Sequence, residues 1–167
     1  KQEIENEKIS TTSIRQDLIN GELQKANDAL GYIYSIKGTV VQGEKRGRTI
    51  GFPTANIQPS DDYLLPRKGV YAVSIEIGTE NKLYRGVANI GVKPTFHDPN
   101  KAEVVIEVNI FDFEDNIYGE RVTVNWHHFL RPEIKFDGID PLVKQMNDDK
   151  SRAKYLLAVD FGDEVAY

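Results

Sequence analysis

The sequence predicts a mainly β fold: a small closed antiparallel barrel of about six strands, followed by a C-terminal helix. Three observations predict it. From Tyr34 onward, apolar and polar residues alternate with period two in runs rich in Val, Ile, Tyr and Thr. These runs, at 34–42, 51–57, 69–77, 83–91, 103–111 and 120–129, are separated by Gly, Pro, Asn and Asp. No long helical pattern lies between any two of them, which points to antiparallel pairing rather than βαβ units. Closure would remove the exposed edges of a single small sheet. Periodicity alone leaves a two-sheet sandwich open.

The elements follow in order. Residues 1–9 are mostly polar without a strong period and predict a mobile end. Ser10, Thr11 and Thr12 offer N-caps to a helix in which Ile14 and Leu18 share a face. Asn20-Gly21 interrupts it, and Leu23, Ala26 and Leu30 carry a second helix stopped by Gly31. After the strands, Asp140 is placed to cap and Pro141 to begin a final helix. Its predicted apolar stripe is Ile139, Leu142, Val143, Met146, Ala153, Leu156 and Leu157. Lys144, Asp148, Asp149, Lys150 and Arg152 fall on the opposite, solvated side.

Composition narrows the function. The 167 residues suit one domain with a small appendage. No cysteine is present, which excludes disulfides, thiolate metal sites and thiol catalysis. Three histidines are too few for a histidine-rich metal centre. The net charge of -5 argues against a general nucleic-acid binder. No apolar run approaches the roughly 20 residues of a membrane span, and no secretory signal is visible. The expectation is a cytoplasmic protein with no nucleic-acid or membrane partner. The chain starts at Lys1, and its single methionine is Met146, which predicts a processed product or a piece of a longer chain.

Chemistry concentrates in three places. The stretch Gly43–Asn56 sets Gly43, Gly47 and Gly51 around Lys45, Arg46 and Arg48. Glycines let backbone amides approach an anion, and the cations add charge, as a phosphate-binding loop requires. A solvated basic hairpin turn explains the same composition. Pro53-Thr54-Ala55-Asn56 follows; in an extended chain Thr54 and Asn56 share a face and could hold Mg²⁺ beside phosphates. They could equally satisfy local backbone groups. In the run 103–111, Val104, Ile106, Val108 and Ile110 alternate towards the core, leaving Glu103, Glu107 and Asn109 on the other face. Glu107 is either a proton acceptor or the partner of a cross-strand cation. Arg131, after the last run, is placed to clamp an anion or a ring, or to pair with Glu133. His127 and His128 are adjacent, so a regular strand turns them to opposite faces and makes them structural. His97 falls in a loop, and Trp126 in the core register.

In this order the segments resemble one family, the riboflavin kinase module of the bacterial bifunctional riboflavin kinase/FMN adenylyltransferase, or FAD synthetase. The matching pieces are Gly47–Asn56, Leu64-Leu65-Pro66 with Gly69-Val70-Tyr71, Gly86–Gly91 with Pro94-Thr95-Phe96, Glu107, Asp112-Phe113, Ile117–Glu120, and Leu130–Glu133 with Lys135-Phe136. The resemblance spans about 34–157 and implies a six-stranded Greek-key barrel with a C-terminal helix. It implies phosphorylation of riboflavin by ATP, with Mg²⁺, to give FMN and ADP. Thr54 and Asn56 then stand at metal and phosphates, Glu107 is the base on the ribityl 5′-hydroxyl, and Gly43–Gly51 covers the nucleotide. Arg131, Glu133 and Phe136 belong to the segment closing on the flavin side. Asn109 departs from the histidine common there and cannot titrate near neutrality. Ile9–Arg15 resembles the Ser/Thr-rich motif that closes the adenylyltransferase domain. This implies that 1–31 is a helical remnant or linker of that domain, that 32–167 is the kinase barrel, and that FMN adenylylation is missing. Two other readings predict different behaviour: a barrel that holds flavin or nucleotide without turnover, and a small nucleic-acid-binding barrel.

Overall fold

The computed structural model describes residues 12–42, 54–61, 63–78, 82–94, 100, 102–113 and 115–163. Two short helices, α1 (12–20) and α2 (Leu23–Leu30), precede the strands β1 (Ser35–Val41), β2 (Ala55–Pro59), β3 (Gly69–Ile77), β4 (Lys82–Pro94), β5 (Ala102–Ile110) and β6 (Arg121–Arg131). Helix α3 (Ile139–Asp160) follows the strands. The strands close into an antiparallel barrel in the order β1-β2-β5-β4-β3-β6. The strands β3, β4 and β5 form a meander, while β2 pairs with β5 and β6 joins β3 to β1, the non-sequential neighbours of a Greek key. The sandwich alternative is thereby excluded.

Alternation builds the core. Ile36 and Val40 on β1, Ile57 on β2, Tyr71, Val73 and Ile75 on β3, Ala88 and Ile90 on β4, Ile106, Val108 and Ile110 on β5, and Val122, Val124 and Trp126 on β6 form one buried cluster. Tyr71 packs edge-on against Trp126, with ring centroids 5.1 Å apart. Its hydroxyl donates to the Arg67 carbonyl, and burial pushes the phenol pKa well above its usual value. Val104, expected in this core, is 41% exposed where β5 begins.

The helices at the start share that core. Leu18, Leu23 and Ala26 belong to the barrel cluster. Gly21 turns between α1 and α2 at φ 82°, and Gly31 closes α2 in the left-handed conformation with its N–H on the Asn27 carbonyl. Asn27 is buried; its Nδ2 donates to the Trp126 carbonyl at 2.8 Å and its Oδ1 accepts from the Tyr34 N–H at 2.9 Å. One amide thus ties α2 to the edges of β6 and β1.

Several expectations are corrected. The strand predicted at 51–57 is observed at Ala55–Pro59, with 51–53 outside the described residues and Thr54 ahead of the strand. Helix α3 is entered from Gly138 at φ 124°, not capped by Asp140, whose side chain lies in the first turn. Ile139 is exposed, and the buried face of α3 is Asp149, Ala153 and Leu157, spaced by four. Ala153 and Leu157 pack on Val70, Ala72, Phe111 and Leu130 outside the barrel. Asp149, assigned to the solvated side, is buried because Arg131 meets it there. Arg131 is the last residue of β6 rather than a loop residue.

The histidine pair is corrected too. Opposite β3, Ala72 pairs with His128 and Val73 with Trp126, so His127 is the extra residue of a bulge. Both rings consequently reach one oxygen, Asp160 Oδ2, from His127 Nδ1 at 3.3 Å and from His128 Nε2 at 2.6 Å. His127 Nε2 lies 2.9 Å from Ser74 Oγ, which also accepts from Asn125 Nδ2 at 3.1 Å. The reading of both as structural agrees with this network, which docks the end of α3.

Candidate functional site

The outer barrel face carries a polar row. The pairs Asn56↔Glu107 and Asn89↔Glu107 are directly opposite in the β2–β5 and β4–β5 ladders. Directly opposed residues project on the same side, with Cβ atoms about 4.5–5.5 Å apart. Their sequence neighbours Ile57, Ile106, Val108, Ala88 and Ile90 are buried inward, so Asn56, Glu107 and Asn89 line up across three strands on the outside. Asn56 is buried and Glu107 and Asn89 are half-buried. A carboxylate flanked by two amides offers acceptors for hydroxyl protons and oxygen donors for a hard cation.

Glu133 links the row's face to a cavity. Beyond Asn89 on the same face is Gly91, over which Glu133 Oε1 lies where a Cβ would meet it at 2.6 Å. Glu133 and Pro132 also border a cavity of about 540 Å³. Ile19, Leu65, Pro66, Ile90 and Val104 give that cavity apolar walls, and Arg67 and Lys68 give it positive charge. The Arg67 N–H donates to the Leu18 carbonyl at 2.9 Å, which fixes the cavity wall to α1.

The predicted site residues are distributed as follows. Thr54 immediately precedes β2, and Asn56 meets Glu107 across the ladder. Glu133 lies over Gly91 and borders the cavity. Arg131 is directed to α3: its Nε donates to Asp149 Oδ1 at 3.0 Å and its Nη2 to Asp149 Oδ2 at 2.8 Å. Arg131 also faces the Phe136 ring at 5.8 Å, so it braces the segment 132–136 from behind. Gly43, Lys45, Arg46, Gly47, Arg48, Gly51 and Pro53 lie outside the described residues, as does His97.

Asn89 was not singled out as a site residue from the sequence. Its signal was present: a lone amide between Ala88 and Ile90 in the otherwise apolar run 86–92. Its opposition to Glu107 depends on the β4–β5 register, which alternation within one strand does not specify. Among the described residues no group of three or more His, Cys, Asp or Glu side chains could hold a metal. No helix among them is long and apolar enough to cross a membrane.

Comparison with known proteins identifies the family of the barrel. The family model "Flavokinase: Riboflavin kinase" matches residues 30–157. A bifunctional riboflavin kinase/FMN adenylyltransferase from Listeria monocytogenes is 48% identical over 95% of this chain and 49% of its own length. The protein of the same description from Bacillus subtilis is 47% identical over 89% of this chain and 46% of its own length. The chain thus spans about half the length of these curated relatives. A solved structure from Streptococcus pneumoniae, described as a macrolide-efflux protein, superposes with a TM-score of 0.79 at 42% identity, covering 86% of this chain and 45% of that one. The riboflavin kinase of Trypanosoma brucei shares the fold at a TM-score of 0.53 and 24% identity, over 74% of this chain and 78% of that one. On the extent of the family match and the identity of these relatives, the chain belongs to the flavokinase family.

Proposed function

We propose that this domain transfers the γ-phosphoryl group of ATP to the ribityl 5′-hydroxyl of riboflavin, giving FMN and ADP. The observation that carries the reading is the row Asn56–Glu107–Asn89 on the outer face of a flavokinase-family barrel. Phosphoryl transfer depends mainly on positioning and charge neutralisation. Glu107 accepts or orients the hydroxyl proton; its carboxylate is a weak base, so it acts late, as the proton becomes acidic. Thr54 and Asn56 face the phosphate side, and the Gly43–Gly51 segment with Lys45, Arg46 and Arg48 covers the nucleotide. The side-chain oxygens of Thr54 and Asn56 are hard donors of the kind Mg²⁺ takes and would hold it beside the phosphates. When bound with ATP, Mg²⁺ neutralises phosphate charge. The apolar cavity beside Glu133 suits the flavin ring, with Phe136 nearby and Arg131 acting through the 132–136 segment.

We assign residues 32–167 to the kinase barrel and 1–31, whose helices α1 and α2 pack on that barrel, to the linker towards an adenylyltransferase domain, and no FMN adenylylation to these residues. An ATP-consuming flavin kinase is expected in the cytoplasm. The test is incubation with riboflavin, ATP and Mg²⁺, followed by separation of the flavins. FMN without FAD is expected; chelation of the metal should abolish it and added Mg²⁺ restore it. Glu107→Gln should lower turnover by about 10²–10⁴-fold while riboflavin still binds. Saturable binding with no ADP release by the wild-type chain would replace the kinase by a flavin-holding module.

A further inference from the structure

We propose that Asn89 contacts the substrate, its side-chain carbonyl accepting a hydrogen bond from the ribityl hydroxyl next to the one phosphorylated. This rests on the kinase reading and extends it to how the polyol chain is recognised. The observation is an orphan: Asn89 Oδ1 is buried and has no hydrogen-bond partner among the described residues. A buried acceptor left unpaired is unfavourable, and such groups in native proteins call for an explanation. Here the explanation lies in position. Asn89 is opposite Glu107, one strand away on the same face. Its Nδ2 is on the Gly91 side, 3.7 Å from where a Gly91 Cβ would stand and thus near Glu133 Oε1.

The chemistry selects the ligand group. An amide oxygen repels phosphate oxygens and welcomes a donor. Glu107, when ionised, is also an acceptor. Two acceptors about one strand spacing apart match a chain bearing adjacent hydroxyls, not a phosphate or an apolar ring. With the 5′-hydroxyl at Glu107, the 4′-hydroxyl is the one that reaches Asn89. A site built to bond a hydroxyl discriminates strongly against an analogue lacking it, because its own polar group is then left unpaired.

The experiment compares riboflavin with 4′-deoxyriboflavin in the wild-type chain, Asn89→Ala and Asn89→Ser. The wild type should prefer riboflavin by about 10–100-fold in kcat/KM. Asn89→Ala should lose about that factor on riboflavin and little on the deoxy analogue. Asn89→Ser, which keeps a small acceptor, should recover part of the preference. The Asn89→Ala melting temperature should not fall, since the change removes an unpaired acceptor rather than a structural bond. Equal losses on both substrates, or a wild type indifferent to the 4′-hydroxyl, would overturn the assignment. The same combinations are measured by quenching of flavin fluorescence on binding. If no FMN forms, the kinase reading fails, while the binding comparison still decides for or against Asn89.

Discussion

Substituting Asp149 by alanine tests how α3 is held against the end of β6. The Asp149 side chain is 7% exposed and that of Arg131 15% exposed. The substitution removes three N–H···O contacts of Arg131, at 2.8, 3.0 and 3.2 Å, and among the described residues leaves its guanidinium only the Pro132 carbonyl at 3.1 Å. Removing one partner of a buried pair costs about 3–5 kcal/mol, because the remaining charge is uncompensated. The open edge of Arg131 and its Pro132 bond soften this, so the expected loss is about 2–4 kcal/mol. Arg131→Met should cost a similar amount, leaving Asp149 with the Gln145 amide, 3.0 Å away. The double variant Arg131→Met/Asp149→Leu replaces both charges by apolar groups and should lose about 1 kcal/mol or less, giving a coupling of at least ~2 kcal/mol. The single tryptophan, Trp126, is fully buried, so its fluorescence reports urea unfolding. With a slope near 2 kcal/mol/M, the Asp149→Ala midpoint should fall by about 1–2 M. A loss below ~0.5 kcal/mol, or a double variant equal to the sum of the singles, would refute the reasoning and reduce the pair to a screened surface bridge.

Other outcomes follow from the same structure. Gly38→Ala places a Cβ against the Gln58 carbonyl and 2.8 Å from Ile57 Cγ2; backbone cannot yield as a side chain does, so a loss of about 1–3 kcal/mol in urea unfolding is expected. His127 has its pKa lowered, first by burial, against the opposing pull of Asp160. The unfolded chain therefore binds the proton more readily than the folded one. Stability is complete above the ordinary value of 6.5 and declines as pH falls from there towards the lowered folded pKa. Melting curves from pH 8 to pH 5 should show this decline, and His127→Gln should flatten it; an unchanged slope would remove His127 as its source.

Alternation and turn residues on their own determined a great deal. They located six strands, put Trp126 and the Ile and Val stripes inside, and turned Glu107 outward, because side-chain direction in a strand has period two whatever the partners are. They also located Gly31 as the stop of α2, where a left-handed residue is needed. Local spacing could not determine partners. Which strands lie side by side is decided by closure of the sheet, and closure set Asn89 and Asn56 on either side of Glu107 from segments distant in sequence. Helical periodicity ranked Asp149 as solvated by its charge, yet the end of β6 brought Arg131 to it, and a paired charge can be buried where a lone one cannot. The bulge at His127 shows the same limit, since one extra residue reverses the alternation and only the opposing strand reveals it. The proposed activity was legible in short motifs, but the row proposed to carry it exists only once the barrel has closed.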